Sequence, residues 1–72
     1  MDKKDWFAKS ANLLKSEIKK NGLDYKKLTD KLHQIGVDDS YDAVANKINR
    51  GSFSFAFYLQ CMEAINQTNK KD

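Results

Sequence analysis

Few residues of this chain could carry out chemistry, and their surroundings favour structural roles. Cys61 stands among apolar neighbours at helical spacing, which is typical of a small buried hydrophobic residue rather than a nucleophile. His33 is the only histidine, and no second histidine or cysteine stands at ligand spacing from it. The chain also has no glycine-rich phosphate loop. We therefore predict a non-catalytic binding module with no metal site, no cofactor and no small-molecule substrate.

Three acidic residues, Asp38, Asp39 and Asp42, are close enough in sequence to suggest a cation site. They lack the ordered series of ligands and the closing glutamate of a calcium loop. Acidic and hydroxyl side chains at the start of a helix are favoured as caps and by the helix dipole. We expect one of Asp38, Asp39 and Ser40 to cap a helix that begins near Tyr41.

The basic residues are unevenly distributed along the chain. Residues 1–36 carry nine lysines against five acidic residues, whereas residues 37–72 carry four basic and five acidic residues. A basic half can face phosphate groups or an acidic partner, although lysines also solvate exposed helix faces. The formal net charge of the whole chain is only +3, so the arrangement of the charges matters more than their sum.

The elements that position these residues are predicted to be helices. The 72 residues include no proline and only three glycines, and no long stretch alternates between apolar and polar residues. We predict one all-α domain over residues 1–72, with an ordered core of about residues 5–66 and a polar tail, 67–72. Asp5 should cap a first helix that runs to about Asn21, with Trp6 in the core at the end of the bundle.

The next two helices have clear start and stop signals. Asp24 should cap the second helix, and Leu23 and Leu28 have the spacing of a hydrophobic staple. The third helix should cover Tyr41–Arg50 and end at Gly51, which suits the left-handed conformation that closes many helices. Its apolar face comprises Val44, Ala45 and Ile48.

The fourth helix should begin within Ser52–Phe55 and end near Asn66, and it has more apolar surface than one core needs. One stripe, predicted to be core, comprises Phe55, Leu59, Met62 and Ile65, or Tyr58 in place of the first two. A second stripe comprises Phe57, Cys61 and Ala64. We expect this second stripe either to be buried by the first helix or to form the face of a homodimer.

The sequence has no apolar run long enough to span a membrane and no apolar segment typical of a signal peptide. A single cysteine cannot form an internal disulfide. We therefore expect a cytoplasmic protein that does not interact with membranes.

Two stretches resemble parts of a known class of domain. Residues 22–32 resemble the second helix of lambda-repressor-like helix-turn-helix domains, and residues 48–51 resemble the end of their recognition helix. Leu28 and Gly51 are 23 positions apart, against about seventeen in that class, so the second helix or the following turn should be longer. The chain also resembles a small bacterial domain family of unknown function. That resemblance depends on Trp6, Gly22, Tyr25, Leu28, Lys47 to Phe53, and Gln60-Cys61.

The resemblance implies a compact bundle of four to five helices of the lambda-repressor-like helix-turn-helix type, which binds double-stranded DNA and regulates transcription. The residues nearest the bases would be Tyr41, Asp42, Asn46 and Lys47, and the amide of Asn46 can pair with adenine. The residues that meet phosphate would be Lys26, Lys27, Arg50, Ser52 and Ser54. A dimer would double the number of basic helices and set a palindromic site.

A second hypothesis gives the chain no role with nucleic acid. In this interpretation, the apolar stripe Phe57-Cys61-Ala64 binds a partner protein or a second copy of the chain. The lysines would then serve only to keep the domain soluble.

Overall fold

Residues 1–69 fold into four helices connected by short turns, as seen in a computed structural model that describes these residues, with side chains to Gln67. The helices are α1 (Lys3–Lys20), α2 (Tyr25–Gln34), α3 (Tyr41–Arg50) and α4 (Phe55–Asn69). No strand occurs within this part of the chain. The all-α prediction is therefore confirmed, whereas the end of the predicted polar tail, residues 70–72, lies outside the described residues.

The helix boundaries follow local capping signals. Asp24 and Ser40 are the N-caps of α2 and α3, and their side chains accept hydrogen bonds from the backbone N–H groups of Lys27 and Ala43. This result assigns the third cap to Ser40. The predicted cap of the first helix was wrong, because Asp2 takes that position and Asp5 completes a capping box with it.

The connection between α2 and α3 is longer than the usual turn of a helix-turn-helix. The second helix has ten residues, and six more, residues 35–40, separate it from α3. Val37 in this connection is half-buried and packs against the core. The connection therefore exceeds the usual turn of about three to four residues by two or three, which is part of the extra length predicted from the distance between Leu28 and Gly51.

The core is formed by one stripe from each helix. Its buried members come from α1 (Leu14 and Ile18), α2 (Leu28 and Leu32), α3 (Val44 and Ile48) and α4 (Phe57, Cys61, Ala64 and Ile65). Helix α2 packs against both α3 and α4, and α1 packs against α3. The core contacts α3 through Val44 and Ile48, which lie on one side of the helix. The other side of α3 is exposed.

The structure buries the second predicted stripe of α4 and, of the two versions of the first stripe, favours the one with Tyr58, Met62 and Ile65, because Ile65 is buried and the other two residues pack against the core. Phe57, Cys61 and Ala64 are buried within the monomer, so of the two alternatives for this stripe burial is confirmed and the dimer face is wrong, although the helix that packs against α4 is α2 rather than the first helix. Phe55 is 72% exposed and Leu59 is 50% exposed, so they are not core residues. Phe55 and Leu59 lie on the side of the helix that faces away from Phe57, whereas Ile65 lies next to Cys61, and α2 packs against the side with Phe57.

The first turns of α1 also differ from the prediction. Trp6 is 55% exposed, and its ring lies 5.7 Å from Nζ of Lys9 rather than in the core. Residues 1–9 are all exposed, and the buried stripe of α1 begins only at Ala11. The beginning of α1 therefore extends past the packed core, apart from the backbone of Phe7, which lies close to Gly51.

Candidate nucleic-acid interface

The outward side of α3 is exposed and polar. Asp42, Asn46 and Arg50 follow one another at intervals of one turn on the exposed surface of this helix. Tyr41, at the start of the helix, is 48% exposed. All four residues predicted to lie nearest the bases are therefore exposed on α3, namely Tyr41, Asp42, Asn46 and Lys47.

Lys47, the fourth predicted base-contact residue, is held towards the turn between α3 and α4. Its Nζ lies 2.5 Å from a carboxylate oxygen of Asp39 and 5.0 Å from the ring centre of Phe57. The ion pair offsets one of the three acidic charges near the start of α3. The ammonium group of Lys47 is therefore engaged by Asp39 of the connection between α2 and α3, while the side chain lines the groove at the turn between α3 and α4.

The turn between α3 and α4 forms a small groove of about 270 Å³. Its polar lining comprises Lys47, Arg50, Ser52 and Ser54, and three of these were predicted to contact phosphate. The Ser54 hydroxyl oxygen accepts a hydrogen bond of 3.0 Å from the backbone N–H of Phe57, so Ser54 caps the start of α4. The groove thus combines two cationic side chains with hydroxyl groups.

The other two predicted phosphate-contact residues lie at the start of α2. Lys26 and Lys27 are both exposed there. The carboxylate of Asp24 accepts the N–H of Lys27 at 2.8 Å and already occupies the positive end of this helix. Phosphate contact at this position would therefore depend on the lysine ammonium groups rather than on the helix dipole.

A hydrogen bond that the sequence did not indicate joins α2 to the exposed helix. The Tyr25 hydroxyl donates to Oδ1 of Asn49 at 3.0 Å. Partial burial raises the pKa of Tyr25 above its usual value, and the nearby Tyr41 raises it further. The hydroxyl therefore stays protonated at neutral pH and remains able to donate.

The residues considered for catalysis have structural environments. Cys61 is fully buried, and burial, followed by the charge of Asp39, raises its pKa to about 12, although Lys47 acts in the opposite direction. At neutral pH the group is a thiol and not the reactive thiolate. His33 is exposed, and its Nε2 is 2.7 Å from the backbone oxygen of Asp39. Within residues 1–69, no cluster of three or more histidine, cysteine or acidic side chains could hold a metal ion.

Sequence reasoning missed how side chains of different helices are grouped. Lys15 and Lys19 of α1 lie with Lys26 and Tyr41 around one open groove. Hydrophobic periodicity indicates which side of one helix is buried, but it carries no information on which exposed side chains from two helices become neighbours.

The fold and the exposed surface define a small, all-helical domain with a polar helix between two grooves. The chain belongs to a family described as a domain of unknown function (DUF6471), which matches residues 6–69. This agrees with the prediction of a small family of unknown function. No curated protein and no solved structure matches the chain. None of the helices in the part of the chain that the structure describes is long and apolar enough to cross a membrane.

Proposed function

We propose that this domain binds double-stranded DNA without catalysing a reaction, as a lambda-repressor-like helix-turn-helix module that regulates transcription. One observation carries the proposal: each end of the exposed helix α3 borders a groove that is lined by basic side chains. Lys26 lines the groove that Tyr41 also lines, and Arg50 lines the groove at the other end of α3.

The dimensions of α3 fit this role. A helix of ten residues is about 15 Å long, and the major groove of B-form DNA is about 12 Å wide. Cations at the two ends of such a helix can therefore reach phosphates on both strands, while Asn46 in the middle faces the base edges. Lys27, Ser52 and Ser54 add contacts to the phosphates.

Acidic residues near α3 oppose binding, and their arrangement limits this effect. Asp39 is neutralised by Lys47, whereas Asp38 and Asp42 are exposed. In our proposal the carboxylate of Asp42 accepts a hydrogen bond from the amino group of a cytosine, so that it contributes to sequence preference. Asp38, before the first turn of the helix, weakens the attraction to phosphate.

The proposal is tested by titrating a fluorescent mixed-sequence duplex at about 50 and about 200 mM salt. If Lys26, Lys27 and Arg50 neutralise three phosphates, the affinity should fall on the order of fortyfold between these concentrations. Arg50→Gln should weaken binding and make the salt dependence shallower by about 0.9 in the log–log slope.

Lys9→Gln is the matched control, since Lys9 lies on the side of α1 opposite its buried stripe and should leave binding unchanged. Failure to bind DNA at the lower salt concentration would rule out the proposal. An equal loss from Lys9→Gln and Arg50→Gln would show that only the net charge matters.

A second candidate function is protein association through the outer side of α4. The Phe55 and Tyr58 rings are stacked with their centres 6.2 Å apart, and Leu59 is also exposed on this helix. Exposed apolar groups that lie close together are typical of interaction surfaces. The sequence assigned association to Phe57, Cys61 and Ala64. Because these residues are buried, the candidate surface is instead the exposed side of α4 that carries Phe55 and Leu59.

A further inference from the structure

An open groove of about 410 Å³ lies where the second half of α1, the start of α2 and the first residue of α3 meet. Its apolar lining includes Ile18, which is buried, and Leu23, which is half-buried. Tyr25 and Tyr41 add two aromatic rings. The groove thus offers an apolar and aromatic surface that can receive a side chain of similar character.

The edges of this groove are strongly basic. Lys15, Lys19 and Lys26 line it, and none of them forms an ion pair with an acidic residue in the described part of the chain. The one carboxylate in the lining belongs to Asp24, and one of its oxygens already accepts the backbone N–H of Lys27. The lining therefore has three lysine ammonium groups and one carboxylate, which already caps a helix. The groove has an excess of positive charge.

We propose that this groove binds a short acidic segment of a partner protein that inserts an apolar side chain between the two tyrosines. Lys15 and Lys19 are one turn apart on α1, about 6 Å along its axis, and Lys26 is on another helix. A single carboxylate cannot meet all three ammonium groups at once, whereas successive acidic residues of an extended peptide can. The apolar lining favours such a peptide over a DNA backbone, which brings charge but no apolar side chain.

The groove shares residues with the proposed DNA-binding surface. Lys26 and Tyr41 line the groove and are also predicted to contact phosphate and bases. A peptide bound here would therefore exclude DNA from one end of α3. This consequence depends on the proposed function, whereas binding of the peptide does not, so the two are tested separately.

The experiment is an NMR titration of the ¹⁵N-labelled chain of residues 1–72, without DNA, using a capped peptide in which acidic residues flank a central leucine–phenylalanine pair. Amide shifts should be largest in the segments that line the groove, residues 15–26 and Tyr41. A peptide of equal charge with serines at the central pair should bind at least about fivefold more weakly, because it has no apolar side chain to insert. Equal binding of both peptides would contradict the proposal.

The double substitution Lys15→Gln and Lys19→Gln should weaken binding of the first peptide about fivefold. The matched control is Lys9→Gln with Lys20→Gln, which removes the same charge from α1 at positions that do not line the groove and should change the affinity less than about twofold. All four lysines are exposed, so both variants should fold. Equal effects of the two variants would overturn the proposed site.

A parallel titration with duplex DNA tests whether DNA, rather than the peptide, occupies this groove. Should DNA shift the amides of residues 15–26 while the peptide does not, the groove is part of the DNA-binding surface and the proposal is wrong. If the peptide binds and DNA does not, the peptide site stands and the proposed function fails. When both bind, the peptide should displace DNA.

Discussion

Gly51 shows how one residue can join two distant parts of the chain. It closes α3 in the left-handed conformation with φ of 73°. A Cβ atom built on it would lie 1.8 Å from the backbone oxygen of Phe7, far inside contact distance. Both the backbone conformation and the close approach to α1 therefore require glycine at this position.

Gly51→Ala should lower the free energy of unfolding by more than about 3 kcal/mol, because the left-handed strain is added to a clash with backbone atoms that cannot rotate away. Gly22→Ala is the matched control, since Gly22 has φ of 75° but no atom within 4 Å of the added Cβ. It should cost only about 1–2 kcal/mol. Urea unfolding followed by circular dichroism measures both, and equal losses would show that the approach to α1 is not restrictive.

At the scale of elements, the turn between α3 and α4 contains two exposed serines, of which one caps a helix. The Ser54 hydroxyl caps the start of α4, whereas Ser52 is exposed and has no such bond. The sequence placed the start of this helix only within Ser52–Phe55. Only Ser54 therefore links the geometry of the groove to the stability of α4.

Ser54→Ala should destabilise the domain by about 1 kcal/mol, because the N–H of Phe57 loses its acceptor. Ser52→Ala should change the stability by less than about 0.5 kcal/mol. Thermal unfolding of the two variants compares the effects directly. A larger loss from Ser52→Ala would mean that Ser52 provides the cap in solution.

At the scale of the whole molecule, the proposed functional surfaces lie mainly on the exposed sides of the helices, although the core residues Ile18 and Phe57 also line the two grooves. The polar side of α3 and its two grooves form one surface, and the exposed apolar side of α4 forms another. Because the core uses the opposite sides of both helices, changes on either surface should alter binding with little effect on folding.

Self-association should occur through α4 if the second candidate function is right. Leu59→Asp should then abolish association at high protein concentration, since a charge would have to be buried in the interface. Leu13→Asp is the control, as Leu13 is similarly exposed on α1. Analytical ultracentrifugation distinguishes the variants, and a wild-type chain that stays monomeric would eliminate this candidate.

The sequence alone determined the features that depend on neighbouring residues. The bounds of α3, the caps at Asp24 and Gly51 and the buried side of α3 were all predicted, because capping and helical periodicity are local. The exposed position of Asn46 followed from the same periodicity.

Only the tertiary structure decided which side of α4 is buried and which lysines lie together. Both sides of α4 carry apolar residues, so its periodicity alone does not indicate which side is buried. In the structure α2 packs against the side with Phe57. Likewise, the proximity of Lys15 and Lys26 depends on how the turn after α1 places α2. Contacts between distant segments are set by packing, and no pattern within one segment specifies them.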